Sequence, residues 1–448
     1  MTVIIDFDEL SNQYYNLYQS DQSIIRIEVP IETVDPYEWL LGQSIKSQYF
    51  WSDRNSTDWM AGLGESIVLE GKEDPPLDYI KKILNRVHSH RLTTPRFFGG
   101  TRFQKTATSL KNWEAFQYYR FVLPKYEIVH QSGATVFVVN ILKETITNET
   151  LLLDDLIADI SSFKQSIPLS TVSLRVTNQS SAPNFSEWKS IVNQALMDIN
   201  QNQYQKIVLS RQVTYELESY IHPVFFLKKG LDQNCFQFLF MPESHRAFLG
   251  ISPELLFHQS SADLEIDAIA GTIERGKNMI DDQALEHQLL NSIKDQAEHQ
   301  VVINGISSRL EAHNMPFEIL DQQVLKLNQI QHLYTPIRAM VGPDQSSNAL
   351  LSLLHPTPAV GGFPTKETLA RIESYEPFDR GCFAGPVGWI SADDVRFVVA
   401  IRSSLMINRD IHLFSGAGIV RGSNPEREWQ ELDQKLGYIG ELLNEARE

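Results

Sequence analysis

Apolar positions along the chain recur with two spacings, near two and near 3.6, and the segments that carry them come in blocks. The run KIVLSRQVTYEL alternates cleanly: Lys206, Val208, Ser210 and Gln212 share one face, and Ile207, Leu209 and Arg211 the other, as a strand half-facing a core requires. Strand patterns also fall at Phe236 to Phe240, Ala247 to Ile251, Leu264 to Ile269, Gly385 to Ile390, Phe397 to Met406 and Ile411 to Ser415. Earlier ones lie at Ser23 to Val29, Ser66 to Leu69, Arg120 to Leu123 and Thr135 to Leu142. Helical spacing appears over Leu77 to Val87, Glu187 to Ile199 with Ser186 as its N-cap, Asp281 to Leu310 and Pro425 to Ala446. Strands and helices are grouped and do not alternate one by one, which predicts an α+β fold and argues against a doubly wound parallel sheet.

The polar, Pro-containing stretch TNQSSAPN, Thr177 to Asn184, predicts a surface connection. It separates an N-terminal part, residues 1–176, from a C-terminal region, 185–448, the two expected to form one continuous structural domain. With 42% hydrophobic and 21% charged residues over 448 positions, the chain has the composition of a folded globular protein. Its 39 basic and 56 acidic side chains leave a net charge of −17, and no Lys/Arg run interrupts that surplus. Nucleic acid and anionic membrane surfaces are therefore not expected partners. The two cysteines, Cys235 and Cys382, are far apart, and the start MTVIIDFDELSNQ has no basic end or long apolar run. A reduced, cytoplasmic protein is the expectation.

Chemistry-bearing residues cluster in the C-terminal region. Gly416-Ala417-Gly418-Ile419-Val420-Arg421-Gly422 has its third glycine one place too late for a dinucleotide loop. It reads equally as a tight strand-to-helix turn or as a place where backbone N–H groups approach an anion. Asp295 with Glu298, and Glu428 with Glu431, are carboxylates three apart on helices. Two such helices side by side would offer oxygen ligands to a hard cation, with Mg²⁺ the natural candidate; ordinary solvated surface pairs are the alternative. Glu254 stands alone in an apolar segment, ISPELLF, as a buried acid of raised pKa or a salt-bridged structural residue. Lys206, at a strand start, is a desolvated base or a lysine that snorkels to water. His88 and His90 form an HxH without a third ligand nearby and read as loop.

Taken together, these segments resemble the chorismate-utilising enzymes: isochorismate synthases, salicylate synthases and the chorismate-binding subunits of anthranilate and aminodeoxychorismate synthases. The likeness spans about Phe185 to Leu443. It is carried by KIVLSR at Lys206, FLGISPELLF at Glu254, IAGTIERG at Ile269, KDQAEH at Lys294, HPTPAVGGFP at His355, EPFDRGCFAGPVGW at Glu376, VAIRS at Val399 and FSGAGIVRGSNPEREWQELDQK ending at Lys435. The resemblance implies a large anthranilate synthase component I-like α+β fold, a β-sandwich-like core flanked by helices. It implies Glu298 and Glu431 as Mg²⁺ carboxylates, with Asp295 and Glu428 in the outer sphere. Chorismate would place its ring carboxylate at the metal and its enolpyruvyl carboxylate at Arg402 and the amides around Gly416 and Gly418, with Thr272 and Lys435 as further contacts.

The branch within the family turns on few positions. Aminodeoxychorismate synthases are similar but carry a lysine where this chain has Ala270, and anthranilate synthases lack one at the Lys206 position. The water-using members have that lysine. By resemblance Lys206 is then the base for water attacking C2, and Glu254 the acid for the departing C4 hydroxyl. No glutaminase subunit is expected. Salicylate synthases typically have tyrosine in place of Phe383 and lack the HPTPAV form at His355, which favours a plain isochorismate synthase. FFGGTRF and RFVLPKYEI look more like the menaquinone-pathway members than the siderophore-pathway ones. Salicylate synthase is the runner-up, and a catalytically silent chorismate- or metal-binding module the reading from another class.

Overall fold

The computed structural model describes residues 3–19, 23–88, 92–105, 112–145, 149–164, 166–169, 173–231, 234–342 and 345–446. His90 of the HxH lies outside them. Two large sheets, of thirteen and ten strands among the described residues, form the core of the fold. In the first, Val176–Ala182, Lys206–Leu217, Asp410–Val420, Ser403–Ile407, Arg246–Ser252 and Phe236–Glu243 lead into Gln48–Ser52, Trp59–Leu63 and the remaining N-terminal strands. In the second, Phe317–Ile319, Ile330–Met340, Asp263–Glu274, Leu255–Ser260, Asp394–Val399 and Pro386–Ile390 lead into Phe97–Thr101, Tyr119–Leu123 and Ile67–Gly71. Each sheet is thus built by both parts of the chain.

Aromatic side chains of both sheets share one buried cluster, including Phe238 and Phe248 from the first and Phe97, Phe121, Phe257 and Phe397 from the second. Each such ring contributes roughly 1.5–3 kcal/mol on burial. A second cluster lies under helices, where Leu10 and Tyr14 of Phe7–Tyr18, Phe226 of Val224–Lys229 and Leu443 of Gly437–Glu445 meet strand residues such as Tyr215 and Leu413.

The TNQSSAPN stretch is not a loop: Val176–Ala182 is a strand, paired antiparallel with Lys206–Leu217 at the sheet edge. Its polar side chains suit an edge that faces water on both sides. The next helix, Phe185–Asn200, is capped by Asn184 and not by Ser186. The Asn184 side chain accepts from the Ser186 and Glu187 amides while Glu187 reaches back to the Asn184 N–H, a capping box.

Three long elements of the sequence reading are broken in the structure. The helical run Asp281 to Leu310 divides into Met279–Leu290 and Ile293–Ala312, because Ser292 caps the second helix. Pro425 to Ala446 divides into Pro425–Gln434 and Gly437–Glu445 at Gly437, whose φ of 68° lies in the left-handed region. Phe397 to Met406 is two strands, Asp394–Val399 in the second sheet and Ser403–Ile407 in the first. The chain crosses between sheets at Ala400–Arg402. It makes a companion crossing at Pro253–Glu254, between Arg246–Ser252 of the first sheet and Leu255–Ser260 of the second. The two crossings are tied together, since the Val399 amide donates to the Glu254 carbonyl at 3.0 Å and the Ile251 amide to the Arg402 carbonyl at 3.2 Å.

Candidate active site

The paired crossings open onto a partly enclosed cavity lined by residues of both sheets. Lys206, Glu254, Thr272, Glu298, Arg402, Gly416, Gly418 and Lys435 all line it. Asp295, Glu428 and Glu431 do not line the cavity but adjoin it through neighbouring side chains.

The alternation of Lys206–Leu217 puts Lys206, Val208 and Ser210 on the cavity side while Ile207 and Leu209 enter the core. Lys206 is 1% exposed, and its Nζ lies 2.9 Å from Oε1 of Glu298. Burial pushes the Glu298 carboxyl up, but the charges of Lys206 and Lys435 and the Lys206 hydrogen bond outweigh it and hold the group below the usual range.

Glu254 sits at its crossing with the carboxyl turned into a dry environment, and its Oε1 is buried without a hydrogen-bond partner. Burial, reinforced by the charge of Asp267 and opposed by Lys206, Arg54 and Lys435, raises its pKa to about 8. Asp267 also anchors the segment: it accepts from the Leu255 amide at 2.9 Å and pairs with Arg54, which bonds the Pro253 carbonyl. One residue therefore both anchors the segment around Glu254 and reinforces the burial that raises its pKa.

The glycines at 416 and 418 are not in a turn. Both lie within Asp410–Val420, opposite Ser210 and Val208. The neighbouring strand Ser403–Ile407 pairs only with Asp410 to Leu413, so among the described residues the glycine stretch has no strand on its other edge. Lys435 Nζ donates to the Gly416 carbonyl there at 3.2 Å. Gly418 serves close approach: a Cβ on it would collide with Oε1 of Glu298 and lie 2.9 Å from Cε of Lys206.

Thr272 follows a bulge in the pairing of Asp263–Glu274 with Ile330–Met340, where the register shifts between Ala270 and Thr272. Gly271, at φ 74°, supplies the left-handed residue the bulge needs.

The four carboxylates of the expected metal site come from Ile293–Ala312 and Pro425–Gln434. Lys435 Nζ bonds Glu431 at 2.6 Å, Lys294 Nζ bonds Glu428 at 2.7 Å, and Ser292 bonds Asp295. Among the described residues, no three His, Cys, Asp or Glu side chains are gathered into a ligand cluster. Their charges nonetheless act on one another. Burial and the Glu298 charge raise the Asp295 carboxyl, and burial and the Glu431 charge raise Glu428. Oε2 of Glu428 is buried with no partner in hydrogen-bond geometry. The oxygen-only side chains and the unpaired Oε2 of Glu428 are of the kind a hard divalent cation takes, while in this structure Glu298, Glu428 and Glu431 are paired with Lys206, Lys294 and Lys435.

Two cavity residues were not legible in the sequence. Arg380 is buried, bonds Glu376 through Nε and Nη2 at 2.8 and 2.6 Å, donates to the Val360 and Val208 carbonyls at 2.8 Å each, and covers the Phe103 ring. His332 lies in Ile330–Met340 directly opposite Thr272. Neither follows a spacing rule, and only the register of paired strands reveals the second. Phe383 stacks on Phe414 at 5.1 Å on the cavity wall, whereas His355 turns away and meets the Phe103 carbonyl at 3.0 Å.

A family model described as chorismate binding enzyme matches residues 10–444, and the chain belongs to that family. It is 31% identical over 446 residues to isochorismate synthase MenF of Haemophilus influenzae, covering 98% of this chain and 96% of the relative. The solved structure of the menaquinone-specific isochorismate synthase MenF from Escherichia coli superposes with a TM-score of 0.83 at 26% identity, over 97% of this chain and 100% of that one. Anthranilate synthase component I from Streptococcus pneumoniae shares the fold, with a TM-score of 0.64 at 19% identity over 89% and 93%.

Proposed function

We propose that this chain is an isochorismate synthase, an isomerase that converts chorismate reversibly to isochorismate for menaquinone biosynthesis. The observation that carries the mechanism is that Lys206 and a Glu254 raised to about 8 line one cavity. Water attacks C2 of the ring and gives its proton to Lys206, which takes it as the neutral amine and so must first give up its own proton and the ion pair with Glu298. The electron pair moves across the diene, the C4–O bond breaks, and Glu254 donates the proton that makes the departing hydroxyl water. One water enters and one leaves, so the reaction is an isomerisation.

Arg402 and the backbone edge at Gly416 and Gly418 hold the enolpyruvyl carboxylate, with Thr272 and Lys435 as further contacts. An acidic protein holds a dianion here through local positive charge. Glu298 and Glu431 would hold Mg²⁺, with Asp295 and Glu428 beside them, and the ion would supply positive charge for the ring carboxylate. The protein acts without a glutaminase subunit. No helix among the described residues is long and apolar enough to cross a membrane, which is compatible with a cytoplasmic enzyme.

Salicylate synthase is the competing reading; Phe383 in place of the tyrosine typical of that branch stands against it. The test is chromatographic product analysis after incubation with chorismate, with Mg²⁺ and then with chelator. Isochorismate formed only with metal, at a ratio to chorismate reached from either side, supports the proposal. Salicylate with pyruvate moves the enzyme to the neighbouring branch, and substrate binding without conversion leaves a silent binding module.

A further inference from the structure

His332 is 6% exposed, lines the cavity, and has both ring nitrogens engaged. Its Nδ1 faces the Gly271 carbonyl at 3.2 Å, with Oγ1 of Thr272 at 3.1 Å. A carbonyl only accepts, so Nδ1 carries the proton. Nε2 is then a lone pair, and Nη2 of Arg402 lies 2.8 Å from it. The guanidinium can only donate, so the two assignments agree. Burial and the nearby charges of Arg402 and Lys435 hold the imidazole well below its usual range, which keeps that lone pair available.

The parts on either side of this contact are built to hold it. The Gly271 carbonyl belongs to the bulge whose left-handed φ only glycine adopts freely. Arg402 itself has φ 49°, uncommon for a residue with a side chain, at the crossing where its carbonyl accepts the Ile251 amide. A flexible arginine is thereby fixed at its backbone by the crossing and at its tip by the histidine.

We infer that His332 is a positioning residue that aims the Arg402 guanidinium at the substrate carboxylate through its Nε2 lone pair, with the Gly271 carbonyl setting the tautomer. The inference rests on the proposed role of Arg402 in holding the enolpyruvyl carboxylate. Because its Nε2 is committed to Arg402 and its Nδ1 to the bulge, His332 does not itself exchange protons with substrate.

Steady-state kinetics with chorismate separate the possibilities. Glutamine places an amide oxygen near the position of Nε2, whereas asparagine places its amide near Nδ1. His332→Gln should therefore keep the acceptor for Arg402, and His332→Asn only the link to the bulge. The expected result is a KM raised about tenfold in His332→Asn and His332→Leu with kcat within about threefold of the parent, and near-parental constants in His332→Gln. Arg402→Ala should raise KM at least as much, and adding His332→Leu to it should change KM no further. Rescue by asparagine and not by glutamine would make His332 a strand anchor and overturn the inference. So would a fall in kcat at unchanged KM. Unchanged KM in all three His332 variants, with KM raised in Arg402→Ala, would defeat the inference and leave the role of Arg402 standing. An unaffected Arg402→Ala would defeat both.

Discussion

Lys206 and Glu298 form an ion pair of 2.9 Å, 1% and 9% exposed, seated on the bare Cα of Gly418. The pair joins the strand that bears the proposed base to the helix that bears the proposed metal ligand. Removing one member of such a pair leaves an uncompensated buried charge, at a cost of about 3–5 kcal/mol.

That cost shapes the test of Lys206. Lys206→Ala and Lys206→Arg should both lose about a thousandfold or more in kcat, but only the alanine variant should also lose stability. Arginine keeps a cation for Glu298 and does not act as a neutral base near neutrality. Rates together with thermal melts check this, and near-parental turnover in Lys206→Arg would remove the lysine from its role.

Gly418→Ala tests the close approach. The added methyl displaces Glu298 by about an ångström and crowds Lys206 as well, and activity should fall about a hundredfold while the far-ultraviolet spectrum stays unchanged. Parental activity would mean that the pair tolerates displacement.

Glu254 gives a pH dependence of definite sign. With a pKa near 8 the carboxyl is protonated at neutrality and able to donate, so kcat/KM should fall as pH rises through about 8. Asp267→Asn removes a charge that pushes Glu254 up, and should move this alkaline limb to lower pH. Glu254→Gln should slow the reaction by about a hundredfold or more and abolish the limb. A limb that survives in Glu254→Gln belongs to another group.

Much of this chemistry was legible because it sits on regular alternation. The face of Lys206, Val208 and Ser210 follows from a period of two, and Asp295 with Glu298 from helical spacing. The sheet crossings were not. Phe397 to Met406 reads as one apolar strand, and nothing local marks Ala400–Arg402 as the place where the chain leaves one sheet for the other. Gly416 and Gly418 read equally as a tight strand-to-helix turn or as backbone past the strand end that approaches an anion, because glycine permits both. Here they lie in a strand, and the reason for Gly418 is Glu298, more than a hundred residues earlier in the chain. His332 depends on a pairing register with Thr272 across sixty residues, which no local pattern encodes.

Mg²⁺ binding should stabilise the folded protein by linkage. Addition of Mg²⁺ is expected to raise Tm in the parent, and the shift should shrink markedly in Glu298→Gln and Glu431→Gln. An equal shift in those variants would place the ion elsewhere.

The most direct test of the account is to run the reaction with chorismate in ¹⁸O-enriched water and weigh the isochorismate formed at early times. Attack by solvent water predicts one labelled oxygen in every new isochorismate, at C2, and label entering the C4 hydroxyl of chorismate as the reverse reaction proceeds. Unlabelled isochorismate would mean that the original hydroxyl is carried across the ring, and would contradict the assignment of Lys206 and Glu254 to water and leaving group.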